Sequence, residues 1–214
     1  MVSILVTVID HGAGNIRSVV GALESLEVDV RVTCDPGAIQ DSKILLLPGV
    51  GSFRSAMIRI HDLGIDSAIR TALQSGGSIL GICLGMQLLC EWSDEDGGAK
   101  GLGLVGASFT KFKQIESDIG LRIPHVGFNS VSSNSSSILF TDISPGSDFY
   151  FVHSYRIPSL EESSSIRTAK TWYGGDFISA FEFEDRIFGV QFHPELSQGN
   201  GLQLIKNYIR VASC

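Results

Sequence analysis

A cysteine between two glycines is the first feature of this sequence that could carry out chemistry. The segment Gly81-Ile82-Cys83-Leu84-Gly85 ends an apolar run that begins at residue 78. A nucleophile on a sharp strand-to-helix turn needs small residues on both sides, because the backbone there is strained and crowded. At the start of the following helix, the helix dipole would favour the thiolate of Cys83. The plainer alternative is a buried cysteine at the end of a strand.

A histidine and an acid stand two residues apart in Gln191-Phe192-His193-Pro194-Glu195. Proline disfavours helical geometry at the residue before it, and residues two apart in an extended segment share a side. We therefore expect Glu195 to lie beside His193. A base oriented by a carboxylate is the generalised triad arrangement. Alone, this pattern is more often a turn, but together with Cys83 it favours a Cys–His–Glu triad.

The third feature is a glycine-rich turn, Pro48-Gly49-Val50-Gly51, which follows an apolar run. Acyl-transfer chemistry needs backbone N–H groups that point at the developing oxyanion, and glycines allow a peptide to adopt that geometry. Without Cys83, a plain β-turn would be the first interpretation.

The elements that must position these residues alternate in the first half of the sequence. Apolar runs at residues 4–10, 29–33, 43–49 and 78–83 predict strands. Apolar residues at helical spacing predict helices at residues 15–27, at residues 57–73 with an interruption near Gly64, and at residues 84–92. This alternation favours an α/β fold with a mostly parallel central sheet covered by helices on both faces.

The second half has a different pattern. Short runs rich in aromatic and β-branched residues, at 107–112, 149–155, 177–183 and 186–192, predict extra antiparallel strands. Serine-rich segments at residues 129–137 and 158–165 are predicted to be surface loops, and a last helix is predicted at residues 201–212. Because apolar strands resume directly after each loop, we expect residues 1–214 to form a single domain.

Composition narrows the class of protein. The chain has 214 residues, of which 43% are hydrophobic and 18% charged, and this is typical of a globular protein. Its net charge of −7 argues against a general nucleic-acid binder, which needs a basic face. No apolar run approaches the roughly 20 residues of a membrane span, and the sequence MVSILVTVIDHG lacks the basic segment of a signal peptide. We expect a cytoplasmic protein that does not bind membranes.

The motifs together resemble those of a known family. GICLGMQLL, PGVGSF, YFVHSY and GVQFHPE are similar to the corresponding segments of class I (triad) glutamine amidotransferases. Among these, the set looks closest to the glutaminase subunits of imidazole glycerol phosphate synthases in histidine biosynthesis. DHGAGN at residues 10–15 and PHVGFN at residues 124–129 also match that subfamily, and the similar segments extend from residue 4 to about residue 209.

The resemblance implies hydrolysis of L-glutamine to L-glutamate and ammonia, without a metal or an organic cofactor. It implies that Cys83 attacks the carboxamide, that His193 transfers protons and that Glu195 orients His193. The backbone N–H groups of Leu84 and of the Val50–Gly51 loop would hold the oxyanion. The residues implied to hold the amino-acid end of glutamine are Gln87, Glu95, Ser154 and Tyr155.

The resemblance also implies a partner, a (β/α)₈-barrel synthase that receives the ammonia as the second subunit of a heterodimer. Asn15, Phe128 and Tyr150 would lie at the contact. Two positions on this implied partner face depart from the subfamily, which usually has Lys where Leu196 stands and Trp where Phe128 stands. The triad is unaffected, but the partner and the ammonia acceptor stay open.

Other triad amidotransferases, such as the vitamin B6 or anthranilate glutaminases, fit the Pro-Gly-Val-Gly loop less well, and three further alternatives stay open. The same glutaminase chemistry could supply ammonia for amidino groups on bacterial surface sugars. A protein of another class would be a non-catalytic regulatory paralogue that only binds the barrel. A cysteine peptidase of similar sheet architecture is the third, and it would not be expected to carry the His-Pro-Glu segment.

Several residues have plainer interpretations. His11 and His61 are predicted to be surface residues, and His153 is as compatible with a structural role as with a functional one. Cys90 is predicted to be buried on the helix that follows Cys83. The acidic segments Asp94–Asp96 and Glu161–Glu162 are most simply solvated loops, although Glu95 also belongs to the implied glutamine site.

Overall fold

Two sheets organise the part of the chain that the computed structural model describes, which comprises residues 4–112, 121–134, 136–160 and 165–213. The strands are β1 (Leu5–Ile9), β2 (Asp29–Thr33), β3 (Ile44–Gly49), β4 (Ser78–Cys83), β5 (Cys90–Ser93), β6 (Ala99–Lys100), β7 (Val105–Lys111), β8 (His125–Ser133), β9 (Ser147–His153), β10 (Tyr155–Arg156), β11 (Ile166–Trp172), β12 (Asp176–Phe183) and β13 (Ile187–Val190). Nine strands form one sheet in the order β2-β1-β3-β4-β13-β12-β11-β8-β9, and four form a second in the order β10-β7-β5-β6.

The helices pack on both faces of the larger sheet. They are α1 (Ile16–Glu24), α2 (Pro36–Gln40), α3 (Phe53–Asp62), α4 (Ile65–Gln74), α5 (Leu84–Leu89) and α6 (Gln198–Ala212), with 3₁₀ turns at Glu95–Gly97 and Pro194–Leu196. The apolar faces of α1 and α6 belong to one core, and those of α2, α3 and α4 to the other. Every residue of β3 and β4 is buried, as expected for strands covered on both faces.

The position of β13 brings Cys83, at the end of β4, close to the segment that carries His193 and Glu195. Strands β2, β1, β3, β4 and β13 are parallel, whereas β13, β12, β11, β8 and β9 pair antiparallel. In the β4–β13 pair, Ile82 lies opposite Val190. The next residues of both strands therefore leave the sheet at the same edge, the carboxyl edge where open α/β sheets place their sites.

The predicted elements hold in outline, with corrections of element type and of bounds. The helix after Cys83 ends at Leu89, and Cys90–Ser93 pairs as a strand with β7 and β6. The segment 129–133, predicted to be a loop, continues β8 and pairs with β9 and β11. The last helix begins at Gln198 rather than Gly201. In the first two cases, backbone pairing with distant strands overrides the local pattern.

The predicted break near Gly64 is present, because Gly64 adopts a left-handed conformation between α3 and α4. Cys90 is buried as predicted, and burial raises the pKa of its thiol. The predicted acidic loop at Glu161–Glu162 lies outside the described residues. Among the described helices, none is long and apolar enough to cross a membrane.

Candidate active site

Cys83 stands at a strained turn between β4 and α5. Its φ is +53° and its ψ −109°, a conformation that L-residues with side chains rarely adopt. The flanking glycines are required by close packing, because a Cβ on Gly85 would lie 1.7 Å from the carbonyl oxygen of Leu47. A Cβ on Gly81 would lie 2.7 Å from the carbonyl carbon of Gly85. The pattern of small residues on both sides of Cys83 therefore has a steric cause.

His193 and Glu195 form a buried pair. Nδ1 of His193 lies 2.8 Å from Oε1 of Glu195, and both side chains are almost fully buried. The segment is not extended throughout, because His193 has extended geometry but Pro194–Leu196 is a 3₁₀ turn. The turn returns Glu195 towards the imidazole, so the expected pairing arises from a different local geometry than the one predicted.

The position of His193 is fixed by its backbone. Its N–H donates to the carbonyl oxygen of Tyr150 at 2.8 Å, and its own carbonyl accepts from Oγ of Ser197 at 2.6 Å. Ser197 in turn accepts from the N–H of Tyr150. Strand β9 therefore holds His193 in place through both backbone groups of Tyr150. Its carbonyl binds His193 directly, and its N–H binds through Ser197.

The electrostatics of His193 favour its protonated form. Burial lowers the pKa of His193, but interactions with Cys83 and Glu195 outweigh burial and raise the pKa to about 10. Nε2 of His193 has no hydrogen-bond partner among the described residues. A protonated imidazole with a free N–H beside a thiol can deliver a proton to a leaving group.

A cavity of about 340 Å³ opens at Cys83, within the range of small-molecule sites. Its walls bring together the nucleophile and all seven residues predicted for the oxyanion and glutamine sites. These lining residues are Val50, Gly51, Cys83, Leu84, Gln87, Glu95, Ser154 and Tyr155, joined by Pro124, Val152 and His153. Leu84 is the first residue of α5, where backbone N–H groups have no partner within the helix.

The Val50 peptide does not point its N–H at the cavity. That N–H donates to the carbonyl oxygen of Ala13 at 3.4 Å, while Gly51 adopts a φ of +100°. The bond is long, at the limit of an ordinary N–H···O hydrogen bond. The second donor of the expected oxyanion site is therefore turned away in this structure.

His11 lies beside this segment, and the prediction that it is a surface residue is wrong. The residue is 1% exposed, and its Nε2 lies 2.9 Å from the carbonyl oxygen of Pro48. Burial lowers the pKa of His11. Because a carbonyl oxygen can only accept, Nε2 is the donor of this hydrogen bond. His61, by contrast, is on the surface as predicted, with Nδ1 3.3 Å from Asp66.

Glu95 is more than part of a solvated loop. Its Oε2 accepts from the backbone N–H of Phe53 at 3.0 Å, at the first residue of α3. Burial raises the pKa of Glu95, and the Phe53 hydrogen bond partly offsets that effect. The carboxylate thus ties the 3₁₀ turn at Glu95–Gly97 to the helix that follows the Val50–Gly51 loop.

Gln191 lies against Cys83, although the sequence patterns did not single it out. Its amide nitrogen lies 3.6 Å from Sγ of Cys83, and its amide oxygen accepts from Nε2 of Gln87 at 3.3 Å. Both glutamines are buried. The sequence could have indicated this position, because Gln191 stands two positions before His193 and residues two apart share a side of an extended segment.

The residues predicted for the partner contact lie on the outside of the protein near the cavity. Asn15 and Phe128 are exposed, Tyr150 is partly exposed, and the rings of Phe128 and Tyr150 are 5.5 Å apart. Leu196, in the 3₁₀ turn after His193, is 40% exposed. Val126 and Val152 expose their side chains on the same two strands, β8 and β9.

Comparison with known proteins decides the family. The family "Glutamine amidotransferase class-I" matches residues 7–211. The chain belongs to the class I glutamine amidotransferases. A relative from Chlorobium luteolum, named imidazole glycerol phosphate synthase subunit HisH, is 43% identical to this amidotransferase over 205 residues, which are 95% of this chain and 98% of the relative. A protein of the same name from Aquifex aeolicus is 41% identical over 206 residues, 96% of each chain.

Solved structures show the same fold. A protein from Thermoplasma acidophilum, described as a GMP synthase subunit, superimposes on this amidotransferase with a TM-score of 0.74 at 20% identity. The match covers 100% of this chain and 96% of the other. A structure described as a glutamine amidotransferase gives the same TM-score at 17% identity, covering 98% and 99% of the two chains. These likenesses confirm the predicted fold class.

Proposed function

We propose that this amidotransferase hydrolyses L-glutamine through a triad of Cys83, His193 and Glu195, within a single domain. The observation that carries the proposal is the arrangement around one cavity. A cysteine on a strained turn forms part of its wall, and the buried His193–Glu195 pair interacts with that cysteine. A nucleophile, a base and a group that orients the base are the three parts of a covalent acyl-transfer site.

The reaction proceeds in two halves. The Cys83 thiolate bonds to the carboxamide carbon, and the carbonyl electron pair moves to oxygen. When that pair returns, the C–N bond breaks, and the nitrogen takes a proton from His193 and leaves as ammonia. Water then attacks the thioester carbon while His193 takes a proton from it. The C–S bond breaks, its electron pair returns to sulfur as the Cys83 thiolate, and glutamate leaves. Glu195 keeps Nδ1 of His193 as a donor, so that Nε2 serves the reaction.

The other lining residues take roles that match their positions. The N–H of Leu84 and an N–H of the Val50–Gly51 loop, that of Val50 once it has reoriented, stabilise the oxyanion. Glu95 pairs with the α-ammonium group of glutamine, and Ser154 and Tyr155 bind the α-carboxylate end. Gln87 also binds the amino-acid end of glutamine, from a position in the cavity wall that is held by the hydrogen bond of its amide to Gln191.

We further propose that the ammonia passes to a (β/α)₈-barrel synthase that forms imidazole glycerol phosphate in histidine biosynthesis. Support comes from relatives of about 40% identity over nearly the whole chain, which are named subunits of imidazole glycerol phosphate synthase. The partner surface would include Asn15, Phe128, Tyr150 and Leu196, beside the cavity. The exposed Leu196, in place of the usual lysine, keeps surface-sugar amidination as the second candidate.

The decisive experiment replaces the nucleophile. Cys83→Ala is expected to abolish release of ammonia from glutamine, because loss of a covalent nucleophile costs several orders of magnitude in rate. A complex with the synthase should still use free ammonium. Cys34→Ala, which removes an exposed free thiol, is the matched control and should behave as wild type.

Residual glutaminase above about 1% of wild type in Cys83→Ala would contradict the nucleophile assignment. Loss of ammonium-dependent synthesis together with glutaminase would instead indicate that the substitution disturbs the complex. A wild-type complex that releases no ammonia from glutamine would refute the proposed function as a whole.

A further inference from the structure

Two buried histidines outside the triad form a hydrogen-bonded pair on the inner side of β8 and β9. His125 and His153 lie opposite each other in the ladder, and both are almost fully buried. Nδ1 of His125 is 2.9 Å from Nε2 of His153. Nδ1 of His153 is in turn 2.8 Å from the carbonyl oxygen of Tyr155.

Asn129, His125 and His153 form a chain of hydrogen bonds, and the contacts of Asn129 decide which atom of each bond is the donor. The side-chain nitrogen of Asn129 donates to the carbonyl oxygen of Trp172 at 3.0 Å, and its side-chain oxygen accepts from the N–H of Ser130. These two bonds fix which end of the amide carries hydrogen. The same nitrogen lies 3.2 Å from Nε2 of His125, which must therefore accept.

The remaining protons are then determined. With Nε2 accepting, a neutral His125 carries its proton on Nδ1 and donates it to Nε2 of His153. His153 then carries its own proton on Nδ1 and donates it to the carbonyl of Tyr155. Every polar atom of both rings is satisfied only when both are neutral, since a second proton on either ring would place two N–H groups face to face.

The surroundings favour the neutral forms. The rings of Phe112, Phe151, Tyr173 and Phe177 pack around the two imidazoles. Burial lowers the pKa of His125 to about 4 and that of His153 to about 3, and the charge of His193 adds to the effect on His153. Both histidines of this hydrogen-bonded chain therefore stay neutral at neutral pH and are poorly suited to acid–base chemistry there.

The inner end of the chain reaches the cavity. Val152, His153, Ser154 and Tyr155 are consecutive wall residues, and the carbonyl oxygen of Val152 lies 3.8 Å from Sγ of Cys83. The hydrogen bond from His153 spans the backbone of Ser154 by binding the carbonyl of Tyr155. Together with the bond from the N–H of Phe112 to the carbonyl of Ser154, it orients the peptide groups that border the cavity.

We propose that the Asn129–His125–His153 chain is a positioning device that holds the Ser154–Tyr155 backbone in the geometry that binds the amino-acid end of glutamine. The inference rests on the proposed glutaminase function. His125 is not among the residues that line the cavity, and His153, which is one of them, uses both ring nitrogens within the hydrogen-bonded chain and none on the reacting atoms. Their effect should fall on substrate binding in the ground state and the transition state alike, which appears in KM rather than in kcat.

The test compares variants of the full chain, with the synthase partner present, in glutamine hydrolysis. His153→Phe keeps a ring of similar size but leaves the Tyr155 carbonyl without its donor, and KM should rise about tenfold with kcat within about threefold of wild type. His153→Asn places an amide donor near the position of Nδ1 and should recover most of the KM. Phe112→Leu, which removes a ring packed 5.2 Å from His153, is the control and should lower Tm without changing KM.

A KM for folded His153→Phe within about twofold of wild type would overturn the proposal, as would an equal rise in Phe112→Leu. A second measurement needs no activity. Long-range proton–nitrogen NMR spectra at neutral pH should show both rings neutral with the proton on Nδ1, and a proton on Nε2 of either ring would overturn the proposal. A wild-type complex without glutaminase would refute the proposed function, and with it this role, whatever the ring tautomers.

Discussion

The charge of His193 depends on residues that are distant in sequence but adjacent in space. Burial alone would lower its pKa, yet Cys83 and Glu195 raise it to about 10. Cys83 supplies part of this effect, and Glu195 supplies the other part from within a buried pair. The second oxygen of Glu195, Oε2, has no partner among the described residues. The carboxylate therefore directs its charge at one ring, which is what an orienting group in a triad does.

Glu195→Gln should slow glutamine hydrolysis by orders of magnitude in kcat, because the imidazole loses the group that fixes its tautomer. The pH dependence of stability should change too. A pKa raised from 6.5 to about 10 stabilises the fold fully below pH 6.5, and that contribution is lost as the pH rises through 10. The difference in free energy of unfolding between wild type and Glu195→Gln should therefore shrink between these pH values.

Denaturant titrations from pH 6 to pH 10.5 give this difference directly. A matched comparison is Glu184→Gln, an acid at the surface turn between β12 and β13. A difference for Glu195→Gln that stays constant or grows with pH would contradict the charge assignment of His193.

At the scale of elements, two hydrogen bonds of different length hold the end of β3 and the residue that follows it. His11 donates to the carbonyl of Pro48 at 2.9 Å, whereas the N–H of Val50 donates to Ala13 at the long distance of 3.4 Å. The peptide between Gly49 and Val50, which carries this N–H, can therefore turn while the carbonyl of Pro48 stays fixed. Glycine at position 49, which precedes this peptide, adds the freedom that such a turn requires, and Gly51 on the other side of Val50 already has a φ of +100°.

Glutaminase activity should be low in the free chain and rise when the partner and its acceptor substrate bind. The physical reason is that the Val50 N–H is occupied by Ala13, and one oxyanion donor is worth about 10²–10³ in rate. Ammonia release is measured for the chain alone, with the partner, and with the partner plus acceptor. Equal rates in all three conditions would show that the Val50 peptide needs no partner to act.

At the scale of the whole molecule, the outer side of the β8–β9 pair forms an apolar face next to the cavity. Val126 and Phe128 are 56% and 51% exposed, and Phe128 packs edge-on against Tyr150. The turn that carries Leu196 is joined to this face by the bonds of Tyr150 to His193 and Ser197. The exposed Leu196 thus extends an apolar surface at the position where the subfamily usually places a charge.

Leu196 should select the partner. A lysine at this position could pair with an acidic residue of the barrel, whereas leucine would leave that acid buried and unpaired at a cost of several kcal/mol. We expect a cognate barrel without the matching carboxylate and weak binding to an acid-bearing histidine-pathway barrel. Leu196→Lys should strengthen binding to the acid-bearing barrel and weaken binding to the cognate one.

Calorimetric affinities of wild type and Leu196→Lys for both barrels test this expectation. Phe128→Trp, which restores the other usual residue of the partner face without adding charge, is the control. Tight binding of wild type to the acid-bearing barrel, unchanged in Leu196→Lys, would remove the main support for an acceptor outside histidine biosynthesis.

The sequence by itself determined what depends on local rules. The glycines around Cys83 are dictated by contacts within the turn and with the adjacent strand, so the motif predicts the turn directly. The apolar runs of β3 and β4 predict buried parallel strands because burial on both faces leaves no alternation. The fold class and the residues around the cavity were accessible for these reasons, the latter with the help of family resemblance.

Only the tertiary structure decided the features that depend on strand order. Strand β13 lies beside β4, and this places Gln191 next to Cys83, 108 residues away in sequence. His11 is buried because Pro48 provides its acceptor, and His125 and His153 pair because β8 and β9 are neighbours. Cys90–Ser93 is a strand because β6 and β7 flank it, against its helical spacing. Each of these outcomes rests on contacts between distant segments, and periodicity along the chain carries no information about which strands become neighbours.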